Sequence, residues 1–177
     1  MPKVLYNVKE MIIKEGQHLL EANGYSNLNI REVAKNCNIA VGTLYNYFSN
    51  KDELVEEIIF THWEEILVHI DLLPTSKDTL KGKLIALSKY LDSFFKNYSS
   101  VFSDMLESKS AHCPRYEIFP HLFEVIETMI NIAIEEGEIN PPLSGKKLSK
   151  ILVPSMFFIT KIEDITFEDY YSILNLK

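Results

Sequence analysis

The chain has 177 residues, with 18 Lys plus Arg against 25 Asp plus Glu, for a net charge of −7. Apolar residues make up 46% and charged residues 24%, enough apolar surface to offset the entropy of ordering, so a largely disordered chain is excluded; 6 Gly and 7 Pro exclude collagen-like and mucin-like chains. No apolar run reaches the ~18 residues a membrane helix needs, and Lys3, Lys9, Glu10, Lys14 and Glu15 exclude a signal peptide between Met1 and Gln17.

Helical spacing dominates the rest. Val8, Met11, Ile12, Leu19 and Ala22 form one face of a first helix. Asn23-Gly24 ends it, because both residues tolerate the left-handed conformation of a helix cap. Asn29 stands three residues before Glu32, a capping-box spacing that predicts a short helix over 30–37. Asn38 can take a positive φ at modest cost and turn the chain sharply into a third helix over 41–47. Ser49-Asn50 breaks that helix. Asp52 and Glu53 then favour the start of a fourth, whose stripe is Leu54, Ile58, Ile59, Trp63, Ile66 and Ile70. Beyond a loop at 73–76, Leu80, Leu84, Leu87, Leu91, Phe94 and Phe95 mark a helix over 77–97, and a separate short helix is expected over 99–107. After a loop at 108–114, a helix starting at 116 or 118 and ending at 136 carries Leu122, Val125, Ile126, Met129, Ile132 and Ala133, with Pro120 in its first turn. Helices over 144–161 and 167–175 finish the chain. No strand pattern is visible, so the fold class is all-α.

The chemistry concentrates in residues 29–53. Two short helices joined by a tight turn form a helix-turn-helix, whose second helix enters the major groove of DNA. Ile30, Val33, Ala34, Ile39, Leu44 and Phe48 face inward, which leaves Gly42, Thr43, Tyr45, Asn46 and Tyr47 outside. Gly42 lets the backbone approach a sugar-phosphate chain. Thr43 can donate to a phosphate or touch a thymine methyl, and Asn46 can read an adenine edge. Tyr45 and Tyr47 can bond phosphates, and Lys51 can pair with one at the start of the fourth helix. Packing roles for the two tyrosines, and plain solvation for Arg31 and Lys35, are the competing readings. Residues 1–51 carry +2 and residues 52–177 carry −9, consistent with only the first end meeting a polyanion.

These residues resemble the DNA-binding domain of the TetR family of bacterial transcriptional repressors. The matching runs are Gly24-Tyr25, Asn29 to Ala34, and above all Val41 to Leu54. Ala40 departs from the family's usual serine, so a recognition-helix cap worth ~1 kcal/mol is missing; Asn38 stands where glycine is common. The resemblance implies a helix-turn-helix DNA-binding domain over 1–51 and a helical effector-binding and dimerisation bundle over 52–177. It implies contacts to double-stranded DNA from Arg31, Gly42, Thr43, Tyr45, Asn46, Tyr47 and Lys51. It also implies a homodimer on a palindromic operator, released by a small apolar or aromatic effector.

Trp63, Tyr90, Phe94, Tyr98, Phe102 and Phe123 are candidates to line the effector pocket, although filling a core would explain each of them. Ile151, Leu152, Met156, Phe157 and Ile159 are candidates for the dimer interface. His62, Asp92, His112 and His121 could orient a polar ligand group, but a surface place is expected for each. Cys37 and Cys113 form no CxxC or Cys/His cluster, so neither a metal nor a cofactor is expected, Cys37 is expected to be buried, and the cytoplasm is the expected compartment. No nucleophile–base pair or paired carboxylates suggest an enzyme. The alternative reading is a protein-interaction module that uses the same fold without regulating transcription.

Overall fold

The computed structural model describes residues 7–107, 115–159, 162, 164–174 and 176; the side chains of 99, 100, 102–107, 115–119 and 157 fall outside the description. His112 and Cys113, and the side chains of Phe102 and Phe157, therefore lie outside the described residues. Among the described residues there are eight helices and no strand. They are α1 (Val8–Asn27), α2 (Ile30–Asn36), α3 (Val41–Tyr45), α4 (Lys51–Ile70), α5 (Leu80–Glu107), α6 (Arg115–Glu135), α7 (Gly145–Ile159) and α8 (Phe167–Leu174). The chain divides into two compact units: unit 1 holds 1–63 and 97–114, and unit 2 holds 64–96 and 115–177. Helices α4 and α5 each contribute residues to both.

Unit 1 is built on α1 and the first half of α4. Ile12, Leu20, Leu54, Val55, Ile58 and Ile59 are buried there. Gly16 permits the approach, since a Cβ at that position would stand 2.8 Å from Ile58 Cδ1. Ala22, expected on the buried face, is exposed. It precedes Gly24, whose φ of 74° and ψ of 169° break the helix geometry and redirect its last turn. Asn29 caps α2 by accepting the Arg31 N–H at 2.9 Å, and Asn38 turns the chain with φ 55°. Ala40, the residue before α3, gives that helix no side-chain cap. At the start of α4, Asn50 Oδ1 accepts the Glu53 N–H at 2.9 Å while the Glu53 carboxylate accepts the Ser49 N–H at 2.7 Å. That reciprocal pair satisfies donors that a helix start leaves open.

In unit 2, α6 and α7 pack closely. A Cβ on Gly145 would lie 2.3 Å from Asn131 Oδ1 and 3.2 Å from the Glu127 carbonyl, so only glycine fits that approach without movement. The Glu138 carboxylate accepts the Leu80 N–H with both oxygens, at 2.9 and 3.0 Å, at the start of α5. Lys83, buried, donates to the Pro74 carbonyl at 3.0 Å. Two expectations need correction. The break expected between 97 and 99 is absent; Phe94, Tyr98 and Val101 continue one buried stripe, and α5 runs through. Helix α6 begins at Arg115, so Pro120 lies in its second turn. Helix α7 runs as expected through Pro154, which cannot donate to the Lys150 carbonyl. One residue on, the Ser155 hydroxyl bonds the Ile151 carbonyl at 2.6 Å and the Tyr170 hydroxyl at 2.6 Å, joining α7 to α8.

Candidate nucleic-acid interface

The α2–α3 pair presents its polar residues outward because its apolar ones are used inside. Val33, Ala34 and Leu44 have no exposed surface, and Phe48 has almost none. Between the last two, Tyr45 is 49% and Tyr47 is 42% exposed, and Asn46 is exposed. Gly42 is exposed, with nothing within 4 Å of where a Cβ would stand, and Thr43 is half-buried. Arg31 and Lys35 of α2 are exposed. Unit 1 thus carries Arg31 on α2, Gly42, Thr43 and Tyr45 on α3, Asn46 and Tyr47 just after it, and Lys51 at the start of α4. The surface offers hydroxyls, an amide, a bare backbone and cations, and no carboxylate on α3.

Lys51 is half-buried, and its ammonium donates to the Tyr25 carbonyl at 3.0 Å and sits 4.2 Å above the Tyr25 ring. The Tyr25 hydroxyl donates to the Asp52 carboxylate. Lys9 pairs with Glu57 and lies 5.9 Å from the Phe48 ring centre. Sequence reasoning missed the Tyr25 connections, which join residues 26 and 27 positions apart; no local spacing encodes them. Cys37 is buried and free, and its thiol lies 3.5 Å from the Met11 carbonyl. Burial, and then the Glu15 charge, push its pKa up.

The pocket candidates do not share one unit. Trp63 and Tyr98 are buried in unit 1, which also contains Phe102; Phe94 is buried in unit 2, where Tyr90 and Phe123 are half-buried. His62 is not a surface residue: it is half-buried, with its Nδ1 2.9 Å from the Tyr98 hydroxyl. Asp92 pairs with Lys96 at 2.8 Å, and His121 lies 2.6 Å from Asp71. His69 stacks on Tyr90 with ring centres 5.7 Å apart. Of the interface candidates, Leu152 and Met156 are buried within the chain itself, Ile151 is 50% exposed and Ile159 is half-buried. Their i, i+4 spacing puts Leu152 and Met156 on the face of α7 that fills unit 2. Phe158, Ile162 and Ile173 are exposed apolar residues that the expected set did not include. Among the described residues, no group of three or more His, Cys, Asp or Glu is placed to hold a metal, and no helix is long and apolar enough to cross a membrane.

Comparison with known proteins agrees with this geometry. Residues 12–58 match the family described as bacterial regulatory proteins, tetR family. The fatty acid metabolism regulator protein of Bacillus subtilis is 23% identical over 160 residues, covering 88% of this chain and 80% of that protein. The crystal structure of the transcriptional regulator FadR from Bacillus subtilis in complex with stearoyl-CoA superposes with a TM-score of 0.61 at 20% identity, covering 95% of this chain and 91% of that one. A TetR/AcrR-family regulator from Thermobifida fusca gives a TM-score of 0.70 at 13% identity, covering 96% and 95%. These likenesses do not favour the interaction-module alternative. The matched segment and the all-helical fold lead to one conclusion: residues 12–58 carry the DNA-binding domain of the bacterial regulatory proteins, tetR family, in a chain with the fold of TetR-family regulators.

Proposed function

We propose that this chain is a dimeric repressor that grips a palindromic operator through unit 1 and is released by a long-chain acyl thioester. The observation that carries the DNA reading is the outer surface of α3 and the turn after it, where exposed Gly42, Tyr45, Asn46 and Tyr47 flank the fully buried Leu44. Such a face bonds phosphates and base edges without a carboxylate to repel them. Arg31, Thr43 and Lys51 complete the contact set. The exposed Ile151 and Ile173 support pairing of two copies through α7 and α8, since an isologous contact removes such residues from water.

The effector class rests on the fatty acid metabolism regulator protein of Bacillus subtilis and on the structure of Bacillus subtilis FadR in complex with stearoyl-CoA. The aromatic side chains of unit 2 suit an acyl chain, and Tyr90, Phe94 and Phe123 are the proposed lining there. Helix α4 supplies the first residue of the contact set, Lys51, and continues into unit 2. An effector that binds one placement of α4 better than another alters the separation of the two reading heads. Repression needs that separation near one helical turn, ~34–36 Å, or a multiple of it.

Selection of duplexes from a random pool by the purified chain tests the reading. The expected product is an inverted repeat whose mobility shift is reversed by stearoyl-CoA and not by free coenzyme A. A pool that never enriches overturns the DNA reading, and a shift unmoved by acyl thioesters of any chain length overturns the effector class.

A further inference from the structure

We propose that Tyr25 is a positioning residue for DNA binding, one that reserves the Lys51 ammonium for a phosphate. The inference rests on reading unit 1 as a DNA-binding unit. Tyr25 carries a hydroxyl yet is only 7% exposed. It reaches the first turn of α4 with three different groups. Its carbonyl accepts from Lys51 Nζ at 3.0 Å, its ring lies 4.2 Å beneath the same ammonium, and its hydroxyl donates to the carboxylate of Asp52. Gly24 makes this possible. Its φ of 74° and ψ of 169°, a region open essentially to glycine alone, turn the chain just before Tyr25.

Two consequences follow from elementary electrostatics. An unanchored lysine spreads its ammonium over many rotamers, and fixing it on a ligand costs side-chain entropy. Tyr25 imposes that order before DNA arrives. The Tyr25 carbonyl takes one of three ammonium donors, and Lys51 stays half-exposed. The second consequence concerns Asp52, the residue next to Lys51. A carboxylate there competes with a phosphate for the ammonium. The Tyr25 hydroxyl engages Asp52 and so withdraws it from that competition. Tyr25 therefore acts on DNA only through Lys51, without touching the duplex.

A double-mutant cycle tests this, using the duplex enriched by the wild-type chain and anisotropy titrations over a range of salt. Lys51→Ala reduces the slope of log K against log salt by about one phosphate contact. Tyr25→Phe keeps the ring and the carbonyl and removes the hydroxyl's bond to Asp52; it weakens binding about three- to tenfold. In the Lys51→Ala background the same change has no effect beyond about twofold. The proposal is overturned if Tyr25→Phe binds like wild type, if its loss persists without Lys51, or if Lys51→Ala leaves the salt slope unchanged. A wild-type chain that enriches no duplex overturns the DNA reading itself and this inference with it.

Discussion

Gly24 is where a single residue decides most. Its backbone angles lie where a Cβ is strained, yet nothing stands within 4 Å of the place a Cβ would occupy. Replacement by alanine therefore costs conformation and no collision, and Gly24→Ala is expected to lower the urea unfolding free energy by about 1–3 kcal/mol with the m-value unchanged. A variant as stable as wild type would show that the turn relaxes. Gly16 is the contrast: its Cβ would meet Ile58 Cδ1 at 2.8 Å, so there the cost is packing. At this scale the sequence reveals what is local. Gly24 reads as a helix stop and Asn38 as a left-handed turn, because a single residue's allowed angles suffice. The outward set of α3 follows from Leu44 and Phe48, four apart and both buried. The Tyr25 links to Lys51 and Asp52 stay hidden, because they depend on how α1 lies on α4.

Helix ends and interruptions behave differently. The sequence 97–100 suggests a stop, yet Tyr98 and Val101 extend the stripe of Phe94, and burial of those side chains outweighs the weak helix preference of Asn and Ser. Pro154 does not interrupt α7, and the Ser155 hydroxyl bonds the carbonyls of Ile151 and Leu152 beside it. The start of α8 falls at 167 as expected, and Thr166 and Asp169 before and within it have capping-box spacing. The Asp169 carboxylate accepts from the Thr166 hydroxyl and from its N–H at 2.9 Å, while the Asp169 N–H donates back to the Thr166 hydroxyl at 3.2 Å. The bond from the Thr166 hydroxyl, and then that from its N–H, hold the Asp169 pKa below the ordinary aspartate value. The sign follows directly. The charged cap contributes fully above the unfolded-state pKa and is lost as pH falls through the lower folded value. The Thr166 amide resonance is expected to titrate with a midpoint below that of an unstructured aspartate, and Thr166→Ala to raise it. A midpoint at or above the ordinary value would remove the cap from this account.

At the scale of the whole molecule the question is what covers α7 and α8. Ile151 is 50% and Ile173 is 78% exposed, while Leu152 and Met156 on the same pair of helices are inside. Hydrophobic spacing shows that α7 is amphipathic but does not say which apolar residues serve the chain's own core and which serve a second copy. The proposed interface predicts that Ile151→Glu together with Ile173→Glu converts a two-chain particle in light scattering to a single chain, with helical content retained since neither residue is buried. Two-chain particles that survive the double change would put the contact elsewhere. The amino-terminal unit offers an independent gauge. Cys37 sits between α2 and the carbonyl of Met11, with its thiol held protonated by burial. A thiolate-seeking reagent can reach it only when α1 and α2 part. With Cys113 replaced by serine, the rate of modification becomes a clock for breathing of the reading head, readable with no duplex, effector or second copy present.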